Sequence, residues 1–146
     1  MGKNEPFKIY IAAYLALEKD GQILLLRRAN TGYQDGNYSL VAGHLDGNET
    51  AKNCIIREAK EEAGITLHPE DLNVAHVMHR FAPDREYIDV YLTSKKWNED
   101  ITNMEPHKCD DLSWFSIDDL PSNIIPEVKL ALENIKKKNF YGEFGW

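Results

Sequence analysis

Residues Gly43–Ile65 read GHLDGNETAKNCIIREAKEEAGI, and the rest of the chain is understood from this stretch outward. A helix is predicted from about Glu49 to Ala63, with Gly64 as its C-cap. On that helix Glu58, Glu61 and Glu62 stand at i, i+3 and i+4, so their carboxylates share one face. Like charges at this spacing repel by roughly a few tenths of a kcal/mol per pair. Helices rarely gain from such crowding unless a cation sits among the carboxylates. Hard oxygen donors suit Mg²⁺, with Mn²⁺ as a substitute, better than zinc or a soft metal. Mg²⁺ also keeps waters and takes further ligands from substrate phosphates. Taken alone, however, an E-x-x-E-E run is more often a solvated acidic face, so the flanking residues carry the decision.

Those residues are Gly43, Glu49 six positions later, Arg57 eight beyond that, then Glu58, Ala59, Glu61, Glu62, Gly64 and Ile65. The pattern resembles the box of the Nudix hydrolases, G-x5-E-x7-R-E-U-x-E-E-x-G-U with U apolar, at every defined position. With usage of about 5–7% per residue type, seven fixed positions coincide by chance roughly once in 10⁹ starts, so accident is excluded. The resemblance implies a loop, helix and loop that hold divalent cations against a pyrophosphate. It implies Glu58, Glu61 and Glu62 as metal ligands, with the backbone carbonyl of Ala42 adding an oxygen. Glu49 and Arg57 are implied as supports, Arg57 orienting a glutamate or pairing with Glu49. Gly43 and Gly64 are implied to supply backbone freedom at the two ends of the helix.

The reaction implied is substitution at phosphorus by water, with a carboxylate taking the proton. Glu58 is favoured as base or base and ligand. Glu105, in Asn103-Met104-Glu105-Pro106 ahead of Trp114, is a further ligand or the alternative base. The likeness extends along most of the chain. Arg27-Arg28-Ala29 is similar to the R-R-A of MutT-type members, which implies a phosphate contact for Arg28. Phe81-Ala82-Pro83-Asp84-Arg85 is similar to their F-P-D-R turn with one residue inserted, which brings in Arg85. Asn123 corresponds to an asparagine that reads a purine edge in that subgroup; as a bare residue it is an N-cap candidate. Tyr33 and Tyr38 are candidates for stacking on a base. Two features depart from the general pattern. Val41-Ala42-Gly43 replaces the frequent P-G-G, and Gly32-Tyr33-Gln34-Asp35-Gly36 with a terminal Gly145-Trp146 is similar to one bacterial group only.

Outward from the box, Phe7–Leu17 and Gln22–Arg28 read as a hairpin turned at Lys19-Asp20-Gly21. Asn30–Asn37 is a loop and Tyr38–Val41 a short strand. Leu72–Phe81 and Tyr87–Trp97 are strands joined through Pro83-Asp84, Leu112–Ile117 is another, and Pro126–Lys138 is a closing helix. The tail Asn139–Trp146 holds four aromatics and should pack down. The expectation is a single α+β domain over 1–146, a mixed β-sheet sandwiched by helices as in Nudix proteins.

Composition narrows the partners. With 42% apolar residues the chain can build a core, and its net charge of −7 makes a nucleic-acid backbone a poor partner. An acidic protein binds phosphate through cations and a few placed arginines. Ile9–Leu17, the longest apolar run, has nine residues, too few for a membrane span of roughly 20. The polar start Met1–Pro6 does not resemble a signal peptide, so a cytoplasmic monomer or homodimer is expected. Cys54 and Cys109 are expected as reduced thiols. His76 and His79 fall on opposite faces of a strand and show no metal spacing. The leading functional expectation is a nucleoside triphosphate pyrophosphohydrolase. Hydrolysis of a nucleoside diphosphate linked to another group, such as ADP-ribose, is the second, and a non-catalytic nucleotide sensor the third.

Overall fold

Alternation along the first two strands sorts the core into two layers. In β1 (Tyr10–Lys19), Ala13, Leu15 and Leu17 face one side and Ala16 the other; in β2 (Gln22–Arg28), Leu24 and Leu26 oppose Ile23 and Leu25. A period of two sends successive side chains to opposite faces, so a sheet apolar on both must be covered on both. Helix α1 (Ala51–Ala63) covers the first side through Cys54, Ile55, Ala59 and Ala63. Helix α2 (Pro126–Lys136) covers the second through Val128, Ala131 and Leu132. The computed structural model describes residues 4–146. Met1–Lys3 of the polar N-terminal stretch lie outside the described residues.

The remaining strands are β3 (Tyr38–Ser39), β4 (Val41–His44), β5 (Asn73–Ala82), β6 (Arg85–Ser94), β7 (Cys109–Ser116) and β8 (Tyr141–Phe144). The mixed sheet runs β3-β2-β1-β6-β5-β8, with β4 also on β1 and β7 also on β2. β1 and β6 pair in parallel, from Tyr10↔Tyr87 to Leu17↔Ser94. This is the α+β sandwich read from the sequence, with differences that matter for the site.

The predicted hairpin is real at its turn, where Asp20 (φ 52°) and Gly21 (φ 75°) are both left-handed as a tight two-residue connection requires. Beyond Glu18↔Ile23, however, the two strands separate. β1 goes on to pair with β4 and β6, and β2 with β7 and β3. The short strand predicted at Tyr38–Val41 is likewise split: Tyr38 and Ser39 stay with β2, and Val41–His44 cross to β1. The helix begins after Thr50, whose hydroxyl accepts from the Asn53 N–H at 3.0 Å, so Glu49 lies before the first turn. Gly64 (φ 70°) closes it, its N–H reaching the Lys60 carbonyl.

The aromatic tail does pack down, and as a strand. β8 pairs in parallel with β5 from Val77↔Tyr141 to Arg80↔Phe144. Trp146 then donates its indole N–H to the His79 carbonyl at 3.1 Å. Phe144 packs against the α2-side core, whereas Trp146 stays 65% exposed. Phe144→Ala is therefore predicted to cost about 2 kcal/mol and Trp146→Ala under about 1, in proportion to apolar area buried. Urea unfolding of both variants checks the order.

Candidate active site

One cavity of about 480 Å³ is lined by Leu26, Arg28, Asn30, Thr31, Ala42, Glu58, Glu61, Glu62, Glu105, Lys108 and Cys109. Four separate stretches meet there, and local chemistry explains why. Gly43 comes so close to α1 that a Cβ built on it would lie 2.4 Å from Cδ of Glu58. Only a residue without a side chain lets that carboxyl tuck against β4. Cys54, one turn before Glu58, directs its thiol at the Gly43 and His44 carbonyls, at 3.7 and 3.6 Å.

Glu105 arrives from the loop ahead of β7. The Thr102 N–H donates to the Ala63 carbonyl and the Met104 N–H to the Glu62 carbonyl, at 2.9 and 3.2 Å. The open C-terminal carbonyls of α1 thus capture the loop. Asn103 pins it further by accepting from the Glu105 N–H and donating to the Cys109 carbonyl. The end of β2 joins this loop through Ala29 N–H to the Lys108 carbonyl and the Asn30 amide to the His107 carbonyl, both at 2.9 Å. Arg28 and Lys108 are consequently the two cations of an otherwise acidic cavity.

Arg57 is the hub on the outer side. Its Nη2 meets Glu49 at 2.9 Å and Asp46 at 3.3 Å; its Nη1 meets Glu58 at 2.6 Å and Glu61 at 3.7 Å. Glu49 is held below the ordinary carboxylate range, first by Arg57 and then by the Asp46 N–H. Glu62 goes the other way. Burial, a hydrogen bond with Glu58 and the charges of Glu58 and Glu105 push it up to about 10, against an opposing contribution from the Ala42 N–H. Burial therefore favours the protonated form of Glu62. Among the described residues no three acidic, histidine or cysteine side chains already enclose a single point as a finished cation site. Glu58 is turned instead to Arg57 and Glu62. The donor set is nonetheless all hard oxygen on a crowded face, a chemistry that suits a divalent cation.

The structure brings Arg28, Ala42, Glu58, Glu61, Glu62 and Glu105 to this one cavity, with Gly43, Glu49, Arg57 and Gly64 around it. Four other candidates do not line it. Tyr38 is 7% exposed, its hydroxyl bonded to Asp111 and its ring packed on Phe115, which corrects its candidacy as a base-stacking residue. Asn123 is neither helix cap nor free amide; its Nδ2 donates to the Gly36 carbonyl at 2.8 Å. Arg85 pairs with Asp84 and stands over the Tyr10 ring. Tyr33 is half-exposed, its ring 5.4 Å from the Arg28 guanidinium and its hydroxyl 3.3 Å from Glu127.

Two features escaped sequence reasoning. Lys108 belongs to no motif, and its signal was only its nearness to Glu105. On the α2 side, Arg80 and Asp89 form a buried two-point ion pair at 2.6 and 3.1 Å, with the Arg80 guanidinium 4.0 Å from the Tyr87 ring. No spacing within one strand announces a pair made across two. Neither cysteine is in a disulfide; burial pushes Cys54 up to about 12, and Cys109 is raised too. His76 and His79 join no metal cluster among the described residues. No helix among the described residues is long and apolar enough to cross a membrane.

Comparison with known proteins agrees with this fold. The NUDIX domain family model matches residues 7–138. An 8-oxo-dGTP diphosphatase of Proteus vulgaris is 28% identical over 95 residues, 65% of this chain and 83% of that protein. The NAD-capped RNA hydrolase NudC of Stutzerimonas stutzeri is 28% identical over 108 residues, 74% of this chain. The match spans only 37% of that relative's length. The crystal structure of a MutT NUDIX hydrolase from Burkholderia pseudomallei superposes with a TM-score of 0.79 at 26% identity, covering 87% of this chain and 98% of that one. The solution structure of the Escherichia coli ORF135 protein shares the fold, with a TM-score of 0.77 at 21% identity over 91% of this chain and 94% of that one.

Because burial holds Glu62 protonated up to about 10, a cation bound at this face would have to expel that proton, and cation affinity is predicted to rise with pH across the neutral range. Calorimetric Mg²⁺ titrations at pH 7.5 in buffers of different ionisation heat should report about one proton released per ion. Equal apparent heats in every buffer would contradict a protonated Glu62.

Proposed function

The chain belongs to the NUDIX domain family, and from that premise we propose a divalent-cation-dependent hydrolase of a phosphoanhydride bond in a nucleotide. The leading substrate class is a nucleoside triphosphate, cut to a nucleoside monophosphate and pyrophosphate. The observation that carries this reading is the single cavity in which four glutamates face Arg28 and Lys108. The carboxylates suit a hard cation, and the two side-chain cations suit the phosphate oxygens that the cation leaves exposed. Mg²⁺ is the metal of choice, with Mn²⁺ able to replace it, held by Glu58, Glu61 and Glu62 together with the Ala42 carbonyl. When bound it would neutralise the polyphosphate and acidify the attacking water.

The chain's own groups supply the rest. Arg57 keeps Glu58 from swinging out of the cavity by its 2.6 Å contact. Glu105 has no salt-bridge partner among the described residues, unlike Glu58, and it reaches the same space as Glu62. Glu105 is therefore the better base, and Glu58 the better ligand, which reverses the preference drawn from sequence. Tyr33, half-exposed and beside Arg28, is the ring available to a nucleobase. The 8-oxo-dGTP diphosphatase relative supports the triphosphate. A nucleoside diphosphate linked to another group is the second reading, favoured by the NudC relatives, which act on NAD-capped RNA.

A substrate panel with product analysis tests the proposal. Pyrophosphate from triphosphates supports the first reading, and two monophosphates from a diphosphate-linked substrate support the second. EDTA should stop turnover and Mg²⁺ restore it. Glu105→Gln should lower kcat by about 10²–10⁴ with KM little changed, whereas Glu61→Gln should lose cation affinity. Turnover that persists without divalent cations would overturn the assignment.

A further inference from the structure

Asp35 is exposed and outside the acidic cavity, yet it is the anchor of the loop that joins β2 to β3. Its carboxylate accepts from the Thr31 hydroxyl, the Thr31 N–H at 3.1 Å and the Gly32 N–H at 2.9 Å. Those contacts hold its carboxyl below the ordinary range, the Thr31 hydroxyl contributing most. Thr31 and Tyr33 in turn hold Arg28. The Arg28 Nη2 donates to the Thr31 hydroxyl oxygen at 3.1 Å, and Nε donates to the Tyr33 carbonyl at 2.7 Å. The Arg28 backbone is fastened at both poles, its N–H to the Asn37 carbonyl and its carbonyl to the Gly36 N–H. The loop accepts left-handed backbone at Asn30, Gly32, Gln34 and Gly36 to close this tightly.

We propose that Asp35 is a positioning residue, acting through Thr31 to set the Arg28 guanidinium for a pyrophosphate group in the cavity. The role rests on the phosphoanhydride reading above and adds to it the device that presents the arginine. Hydrogen-bond polarity is the reason. A carboxylate only accepts, so Asp35 takes the single proton of the Thr31 hydroxyl. The lone pairs of that oxygen then face the Arg28 Nη2 and the Tyr33 N–H, at 3.1 and 3.2 Å. Without Asp35 the hydroxyl turns its proton to the Tyr33 carbonyl, 3.0 Å away, and competes for the acceptor that Arg28 Nε uses. With Nε and Nη2 engaged, Nη1 has no protein partner among the described residues, and Arg28 lines the cavity with the four glutamates. A guanidinium held by its inner edge offers its outer N–H groups to an anion without the entropy cost of ordering a free side chain.

The test is a double-mutant cycle read on affinity for inorganic pyrophosphate with Mg²⁺, and on KM against kcat. Asp35→Ala and Thr31→Val should each weaken pyrophosphate binding and raise KM about tenfold, and Asp35→Ala should leave kcat within about twofold. Thr31→Ser, which keeps the hydroxyl, should bind like the wild type. In an Arg28→Ala background, Asp35→Ala should cost nothing more. Losses that multiply in the double variant, or wild-type binding by Thr31→Val, would overturn the positioning role while leaving the hydrolase reading in place. A coupled cycle in a protein that turns over no nucleotide would uphold the role and overturn the hydrolase reading.

Discussion

Everything distinctive in this protein depends on holding Glu58 and Glu62 against each other at a partly buried helix face. Isolated, the pair repels; here burial and the nearby Glu105 raise Glu62 to about 10. The fold keeps the arrangement with three unrelated means. Gly43 yields the space in which Glu58 lies. Arg57 balances the outer side of the cluster across Asp46, Glu49 and Glu58. The end of α1 captures the Glu105 loop through backbone bonds from Thr102 and Met104. Each concerns a different segment, which is why a thirteen-residue helix needs the whole sheet to make its site.

The sheet contributes by splitting. β1 leaves its hairpin partner and takes up β4 and β6, and β2 takes up β3 and β7. Because β4 lies next to β1, Ala42 and Gly43 reach the glutamates; because β2 carries β7, Arg28 and Lys108 reach them from the other side. The three glutamates of α1 therefore meet Arg28, Lys108 and Glu105 brought in from the other branch of the sheet. A carboxylate face with no cations nearby would bind a metal and little else. With Arg28 and Lys108 across the cavity, it suits an anion that brings its own negative charge.

How much of this was legible in the sequence follows from the range of each interaction. The helix, its Gly64 cap and the shared face of Glu58, Glu61 and Glu62 are local, so spacing announces them. The box extends that reach to Gly43, Glu49 and Arg57, and resemblance alone brought in Glu105, Arg28 and the Ala42 backbone. What failed was decided by crossings. Tyr38–Val41 has the composition of one strand, and nothing local says that the chain changes partner at Leu40, which sends Tyr38 into the core. Asn123 looked like a cap or a base reader, and a long-range bond to Gly36 uses its amide. Lys108 was silent because it belongs to no motif, and the Arg80–Asp89 pair because its two members are on different strands.

The central claim, that the acidic face of α1 holds a divalent cation at the floor of the cavity, is tested most directly by Mn²⁺ titration of the isotope-labelled protein followed by NMR. Paramagnetic broadening should begin at the amides of Ala42, Gly43, Glu58, Glu62 and Glu105 and deepen when pyrophosphate is added. Broadening that begins instead at another acidic stretch, such as Asp110-Asp111 or Asp118-Asp119, with the α1 amides unchanged, would contradict the account.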